Sequence, residues 1–307
     1  MRLNIFFILL IALLIGTHLK SQSIDSLKYW KIKSSTNINL TQGAVSNWTE
    51  GGETYVSILG ILKTSANYKK KNSSWDNNLE LRYGTMIVRN VLSKNKMAIV
   101  RTDDRIDLFS TYGQKFYKNI NFSLMGNFRS QFVEGYDYPN DSVPVSDFMS
   151  PAKVYFALGF EYKKGENISI MVSPFTIKTT IVASSKVDET KYGLEKGNRS
   201  KREVGSYVKI NYKTTLWDNI VMDNKLILFS NYLENPQNID FDYQVNFNMK
   251  VNTFIQASLH FHFIYDDDTE IPTYDYSTGK KVKSGTTKGL QFKELLSIGF
   301  IYTLQNK

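Results

Sequence analysis

Polar and apolar side chains alternate along most of the chain after residue 28. In residues 239–251, the odd positions from Ile239 onward are apolar and the even positions from Asp240 onward are polar. Successive side chains of a β-strand point to opposite faces, so this period of two predicts strands with one apolar face. Twelve segments follow the pattern: 28–42, 54–69, 75–88, 104–113, 119–132, 153–163, 167–182, 203–213, 219–232, 239–251, 252–266 and 289–304.

Two of these segments depart from strict alternation. Segment 54–69 is apolar on both faces around Ile58–Leu62. Segment 167–182 contains Pro174, which has no backbone N–H to donate to a neighbouring strand. We therefore expect a bend or a bulge at Pro174.

Strand length and loop length distinguish a membrane barrel from a secreted sandwich. Many segments exceed ten residues, whereas strands of soluble proteins average about five or six. Tyr, Phe and Trp lie near the segment ends, as in the aromatic girdles of membrane barrels. Short connections near 70–74, 114–118, 163–166, 214–218 and 250–252 alternate with long ones near 89–103, 133–152, 183–202 and 267–288. The sequence thus predicts an all-β, antiparallel transmembrane β-barrel of about twelve strands, with the connections 43–53 and 233–238 in the long series.

An export signal precedes the barrel. Arg2 is followed by an unbroken apolar run, Ile5 to Ile15, which is too short for a bilayer span of roughly 20 residues. We interpret residues 1–21 as a signal peptide cleaved after Ser21, with an uncleaved N-terminal anchor as the alternative. Residues 22–307 then form a single outer-membrane barrel, exported through the periplasm, with its long loops outside the cell.

Composition excludes several functional classes. The chain of 307 residues has no cysteine, so it contains no disulfide, no thiol nucleophile and no Cys-ligated metal. Its net charge is +9, and removal of residues 1–21, which contribute Arg2 and Lys20 and no acid, leaves +7. No basic and aromatic module typical of nucleic-acid binding is present, and export also argues against a nucleic-acid partner.

Three blocks resemble one family of barrels. Asn39 to Gln42 followed by Trp48 to Glu53 is similar to its "lnxxQ…nWxxGG" opening, Trp75 to Gly84 to its second block, and Leu226 to Asp242 with Asn252 to Asp266 to its third. The family is an outer-membrane barrel family of Bacteroidota-type bacteria, domain of unknown function 3078. The resemblance implies fold and location and brings no reaction, ligand or catalytic residue. Its motif residues here are Gln42, Trp48, Gly51, Gly52, Trp75, Tyr83 and Gly84.

For the glycines and tryptophans of these motifs, a structural role is a simpler explanation than a functional one. Gly51 and Gly52 permit positive φ, so a tight turn is the simpler reading and a partner-docking loop the second. Trp75, like Trp217, falls at a short turn, where anchoring at the membrane interface accounts for it.

The polar face of the strands decides whether the barrel conducts. Alternation places these charged residues inside: Lys31, Lys33, Glu80, Arg82, Arg105, Asp107, Arg129, Lys153, Glu161, Lys209, Lys213, Asp223, Lys225, Asp240 and Asp242. Both signs occur in comparable numbers, whereas a selective pore is lined mainly by one sign. We therefore expect salt-bridge ladders that brace or block a narrow lumen.

His260 and His262 form the sharpest local signal for chemistry. They share one strand face, and Asp266 follows at the predicted outer end. A metal pair, a His–Asp dyad that activates water, and a Ser258–His260 hydrolase pair are the functional readings. Same-face neighbours stand about 6.5 to 7 Å apart, which is too far for a direct dyad. Two polar side chains on a wet face are the simpler reading. We expect no cofactor, and we name His260, His262 and Asp266 only as candidate binding residues.

The long loops supply a second candidate surface. Tyr136-Asp137-Tyr138, Tyr265-Asp266 and Tyr274-Asp275-Tyr276 could bind calcium, glycans or peptides, although solvated polar loops are the simpler explanation. Basic residues crowd the third long loop: Lys186, Lys191, Lys196, Arg199, Lys201 and Arg202. Beside lipopolysaccharide they would contact phosphate, so outer-membrane lipid is the expected partner, with other outer-membrane proteins as further candidates.

Two functional classes remain open from the sequence. The first is a non-enzymatic barrel, either a narrow channel or an accessory barrel that binds at the surface through its loops. The second is a barrel enzyme acting on lipid or peptide, and a carrier of hydrophobic solutes is a further alternative supported only by the two-sided apolar segment Ile58–Leu62.

Overall fold

The structure is a computed structural model that describes residues 28–43, 55–90, 96–137, 140, 142–275, 277 and 282–306. The predicted signal peptide and the loop 44–54 lie outside these residues. No helix in the described part of the chain is long and apolar enough to cross a membrane.

Alternating side chains form long antiparallel strands, as predicted. The strands are β1 (Trp30–Gly43), β2 (Tyr55–Lys70), β3 (Ser73–Asn90), β4 (Lys96–Tyr117), β5 (Ile120–Ser130), β6 (Ala152–Lys164), β7 (Ile168–Ile181), β8 (Ser200–Trp217), β9 (Ile220–Asn231), β10 (Ile239–Lys250), β11 (Ile255–Tyr265), β12 (Ile271–Asp275), β13 (Val282–Thr287) and β14 (Gln291–Gln305). Twelve of them close into a barrel in the order β1-β14-β11-β10-β9-β8-β7-β6-β5-β4-β3-β2, and β12 and β13 form a separate hairpin. The predicted strand number and antiparallel pairing are confirmed.

The two ends of the barrel differ in their connections. At one end, which we call the turn end, β2–β3, β4–β5, β6–β7, β8–β9 and β10–β11 are joined by short turns. At the other, the loop end, the connections 131–151, 182–199 and 266–290 are long. The first strand, β1, starts at the turn end, and the last strand, β14, finishes there. This arrangement is the expected one for an even number of strands.

One predicted loop is wrong. Residues 89–103 were expected to form a long connection, but β3 runs to Asn90 and pairs there with Lys96, the first residue of β4. The segment reads as a loop because it is polar. Its charges are paired instead, since Arg82 Nη2 lies 2.8 Å from Asp103 Oδ2 and Arg101 Nη1 lies 2.8 Å from Asp104 Oδ2. Paired charges allow both strands to continue beyond the apolar part of the barrel.

Strand pairing places apolar side chains on the outer face of the barrel and polar side chains on the inner face. Apolar side chains on the outside remain exposed, among them Leu124, Phe156 and Leu296, which are 53 %, 57 % and 68 % exposed. Polar neighbours such as Asp107 and Asn127 point inward and are buried. In the two-sided segment, Leu59 is buried inside while Ile58 is exposed outside. A closed barrel with an apolar exterior is built to span a membrane, because every backbone group is paired and no strand edge meets lipid.

Pro174 produces the predicted bulge in β7. The pairing of β7 with β8 shifts register between Ser173 and Thr176. The buried Ser173 hydroxyl lies 2.8 Å from the Leu158 carbonyl and 2.7 Å from the Phe175 carbonyl, which occupies groups that the bulge leaves unpaired. The extra residue reverses the alternation, so the even-numbered Lys178 points into the barrel.

Arginine placed on the lipid-facing surface should destabilise the barrel according to its depth. We expect Leu124→Arg, near the middle of β5, to lower the free energy of unfolding by about 2–4 kcal/mol. The matched change Tyr117→Arg at the turn end of β4 should cost about 0–1 kcal/mol, because its guanidinium reaches the interface. Reversible urea unfolding in phosphatidylcholine vesicles measures both, and equal costs would contradict the assignment of the exterior.

Candidate functional site

Six side chains form a continuous polar layer inside the barrel, which we call the brace layer. Arg129 forms an ion pair with Asp242, and its second nitrogen lies 3.4 Å from Asp107. Lys225 Nζ lies 3.3 Å from the same Asp107 carboxylate. Arg105 Nη2 lies 3.0 Å from His262 Nδ1, and His262 Nε2 lies 3.0 Å from Asp242. These contacts link β4, β5, β9, β10 and β11 in one network.

The brace layer crosses the lumen instead of running along its wall. Arg129 on β5 and Asp242 on β10 stand five places apart in the ring of twelve strands. A round barrel of twelve strands spaced about 4.8 Å apart and tilted about 40° is about 24 Å wide. An arginine–aspartate pair joins Cα atoms no more than about 13 Å apart. The barrel is therefore flattened here, with the β4–β5 wall drawn toward the β9–β11 wall.

The hydrogen bonds of His262 fix its protonation. The Arg105 guanidinium can only donate, so Nδ1 of His262 must accept. The Asp242 carboxylate accepts, so Nε2 carries the proton and donates. Both nitrogens of this buried, neutral imidazole are occupied, and neither is left to take a proton or a metal ion while the brace layer is intact.

His260 lies beside His262 but in a separate contact. The two ring centres are 5.8 Å apart, and His260 Nδ1 lies 2.7 Å from Asn246 Oδ1 on β10. Ser258 accepts a hydrogen bond from Gln256 at 3.0 Å instead of pairing with His260. Among the residues that the structure describes, no three His, Asp or Glu side chains are grouped to hold a metal ion.

Asp266 stands apart from the two histidines, in the loop directly after β11. Its carboxylate forms an ion pair with Lys153 of β6 on the far side of the lumen. Burial alone would raise the pKa of Asp266, but the ammonium groups of Lys153 and Lys178 outweigh it and hold that pKa below its usual range. The structure thus brings His260 and His262 together and leaves Asp266 in another ion pair. The binding role of the three residues stays a prediction.

An apolar cluster fills the lumen on one side of the brace layer. Its side chains come from β4 to β9 and are almost completely buried: Phe109, Met125, Ala157, Met171, Tyr207, Ile227 and Phe229. Two ammonium groups lie over the Phe109 ring, that of Lys209 at 3.6 Å and that of Lys225 at 5.0 Å from its centre. The inward face is therefore not uniformly polar, and aromatic rings serve as contacts for cations there.

The opposite side of the lumen contains buried side chains as well. Asn37 and Asn39 of β1, Leu59 of β2 and Arg82 of β3 all point inward and are buried. Buried inward side chains therefore line both sides of the barrel. Together with the brace layer they fill much of the lumen, and in that layer the Arg129 and Lys225 side chains are 21% and 20% exposed.

Alternation predicted most of the inward charges correctly, including all the charged members of the brace layer. It missed a second ion-paired group at the loop end, where Lys178 Nζ lies 3.2 Å from Glu203 and 2.8 Å from Asp240. Lys178 was missed because the bulge at Pro174 reverses the alternation. The presence of a proline within a strand was the available signal.

The family motif residues have structural roles where the structure describes them. A Cβ at Gly84 would lie 2.6 Å from Thr102 Oγ1, so the position requires a residue without a side chain. Trp75 is exposed at the turn end and donates to Ser110. Tyr83 faces outward on β3, beside the inward Arg82. The backbone of Gln42 pairs with Val56, whereas Trp48, Gly51 and Gly52 lie outside the described residues.

The long loops pack on one another into an ordered cap over the loop end. Val182, Val187 and Leu194 form a small buried cluster with Tyr192 against it. The Tyr192 hydroxyl donates to the Val145 carbonyl at 2.6 Å, and burial raises the pKa of Tyr192 to about 12. Lys186 Nζ lies 2.7 Å from Glu134. Loop 182–199 thus has an apolar cluster of its own, and polar contacts join it to loop 131–151.

A pocket of about 350 Å³ lies beside the brace layer, and residues of β4, β11 and β14 line it. It is lined by charged residues of both signs, including Arg101, Asp104, Arg105 and Lys293, together with His262. Lys293 Nζ lies 3.0 Å from Asp103, and Arg101 is held by Asp104. The pocket is polar and its charges satisfy one another.

Comparison with known sequences confirms the resemblance noted in the sequence. The model of a family described as "Protein of unknown function (DUF3078)" matches residues 40–136, about a third of the chain. No curated protein has a significantly similar sequence.

Solved structures with related architecture are outer-membrane barrels. The COG4313 outer membrane channel from Pseudomonas putida F1 is 10% identical, with 94% of this chain and 98% of that chain covered and a TM-score of 0.38. The translocator domain of the autotransporter NalP from Neisseria meningitidis is 7% identical, with 98% and 95% covered and a TM-score of 0.33. OmpT of Vibrio cholerae is 9% identical, with 93% and 99% covered and a TM-score of 0.31. The fold assignment rests on the strand pairing of this chain itself.

Removing both partners of the central ion pair should cost less than the sum of the two single removals. We expect Arg129→Ala or Asp242→Ala to lower the free energy of unfolding by about 3–5 kcal/mol, because each leaves a buried charge without its partner. The double variant should cost clearly less than the sum of the two. Urea unfolding of the four proteins measures this coupling, and additive costs would show that the pair is not an interacting unit.

Proposed function

We propose that this protein is a closed barrel of the outer membrane that works by binding at the cell surface through its loop cap, not by conducting solutes. The observation that carries the proposal is the filled lumen. Ion pairs link strands five places apart in the ring, and buried side chains line the walls on both sides of them. A filled lumen argues against passive conduction.

The ordered loop cap supports a binding role. Loops that only keep a surface soluble need no buried apolar cluster. Within loop 182–199, however, Val182, Val187 and Leu194 are almost fully buried. An ordered cap presents a defined surface to a partner, because the entropy of ordering the loops is already lost before binding. We assign the loop end to the cell exterior because long loops face outward in bacterial outer-membrane barrels.

Basic residues on the rim of the cap favour lipopolysaccharide as the contact. Several cations of this region pair with acids, as Lys186 does with Glu134 and Arg199 Nη1 with Glu189 at 3.5 Å. Lys196 and Arg202 are exposed and have no carboxylate partner in the described chain. Arg202 points outward from β8, next to the inward Glu203, so it faces the lipid. Phosphate groups of the outer leaflet are suitable partners for these two side chains.

Conductance in a planar bilayer tests the closed lumen. We expect the refolded protein to give no current steps. Its folding is checked first by gel electrophoresis in detergent, where a folded barrel that has not been heated migrates differently from the heated, unfolded chain. The variant Tyr207→Ala/Phe229→Ala/Arg129→Ala removes the apolar and polar closures together and should produce steps, because it empties the centre of the lumen. Steady, reproducible openings of the unmodified protein would contradict the proposal.

Binding to lipopolysaccharide tests the role of the cap. We expect Lys196→Gln/Arg202→Gln to weaken the binding of refolded protein to lipopolysaccharide about thirtyfold, since two cations at a membrane surface contribute about 1 kcal/mol each. Lys118→Gln/Lys164→Gln removes the same charge from exposed positions at the turn end and should leave binding unchanged. Surface plasmon resonance measures the affinity of both variants. Equal losses of affinity would show that binding depends only on the net charge of the protein and not on the cap.

A further inference from the structure

Five lysines in the turn half of the lumen have no carboxylate partner in the described chain. We call this set the lysine cup: Lys33, Lys69, Lys115, Lys209 and Lys250. Inward carboxylates of the same half are already engaged. Asp76 and Glu161 both contact Lys163, and Asp223 lies 3.8 Å from Lys213. The turn half therefore carries excess positive charge, whereas every arginine of the brace layer has an acidic or imidazole partner.

Strand register shows that the cup faces the lumen and not the lipid. Lys33 shares the inward face of β1 with the buried Asn37 and Asn39. Lys250 pairs with Gln256, whose side chain bonds the inward Asn248. The lysines belong to β1, β2, β4, β8 and β10, which are spread around the ring. Their side chains converge on the barrel axis, so their ligand must come from solution and not from lipid headgroups.

Lys209 forms the floor of the cup. It is half-buried, with its ammonium 3.6 Å from the centre of the Phe109 ring. Phe109 belongs to the apolar cluster inside the lumen, so Lys209 lies beside the part of the lumen that apolar side chains fill. The other four lysines are exposed near the opening. The cup thus has four cations near its mouth and one deeper in the lumen.

The wall beside Lys69 contains a hydrogen-bond donor without a partner. Lys69, Ser74, Gly113 and Ser123 lie in one row across β2 to β5. A Cβ at Gly113 would lie 3.1 Å from the hydroxyls of both Ser74 and Ser123, so glycine allows these two side chains to approach the strand closely. The buried hydroxyl oxygen of Ser74 has no hydrogen-bond partner among the described residues. This hydroxyl is a donor without an acceptor in the same row as the unpaired Lys69.

We propose that the lysine cup is a binding site for a soluble multivalent oxyanion that enters from the turn end. Rings of basic side chains select anions in membrane pores, and lysine binds phosphate or carboxylate as a point charge. Several separated ammonium groups favour a ligand with several negative charges, since a monovalent anion can contact only part of the ring. The inference rests on the lumen geometry and does not depend on the function proposed for the loop cap.

Isothermal titration calorimetry on the refolded full-length protein in a non-ionic detergent tests the site, with tripolyphosphate and citrate as separate probes. We expect saturable binding of at least one probe, at least tenfold tighter than acetate and weaker at high salt. Lys69→Gln/Lys115→Gln/Lys209→Gln should weaken it at least tenfold. Tighter binding of tripolyphosphate would identify phosphate as the preferred group, and tighter binding of citrate would identify carboxylate.

A control variant at the same end distinguishes binding by the lysine cup from a general effect of net charge. Lys71→Gln/Lys118→Gln/Lys164→Gln removes three exposed lysines that lie on the turns or outside the barrel, and binding should change less than twofold. Equal losses in the two triple variants, or no binding of either probe by the unmodified protein, would overturn the proposal. Lys115→Gln alone, at an exposed position, provides a variant that should fold normally and still weaken binding measurably.

Discussion

The ion pairs that cross the lumen determine the shape of this barrel. Buried charges are costly unless each meets an opposite charge, and Arg129 on one wall meets Asp242 on the other. The reach of two side chains is shorter than the width of a round barrel of twelve strands. The walls therefore approach, and the apolar cluster around Phe109 and Phe229 packs in the space that remains. A lumen filled with side chains follows from charge pairing and packing together.

The two halves of the lumen differ in how their charges are matched. In the loop half, arginines and acids pair one with another, as Arg82 does with Asp103 and Arg101 with Asp104. In the turn half, lysines such as Lys209 and Lys250 lack acidic partners in the described chain. The brace layer lies between these environments. The two binding functions proposed above therefore depend on different parts of one fold.

Local backbone features explain where reasoning from alternation failed. Pro174 introduces an extra residue into β7, and after it Lys178 points inward although its position in the sequence suggests the opposite. The segment around Asp103 was expected to be a loop because it is polar, and it is strand because its charges are paired. In both cases a tertiary contact overrides a correct local rule: the bulge is held by Ser173, and the polar strand by Arg82.

The sequence by itself determined the fold class, the strand number and the faces of most strands, because a period of two is a local property of the chain. It also identified His262 and Arg129 as inward-facing. Only the tertiary structure decided which charges meet, since strands five places apart in the ring are also distant in sequence, as residues 129 and 242 are. It likewise placed Asp266 beside Lys153, away from the histidines. Pairing across a lumen depends on how the whole sheet closes, and no local pattern contains that information.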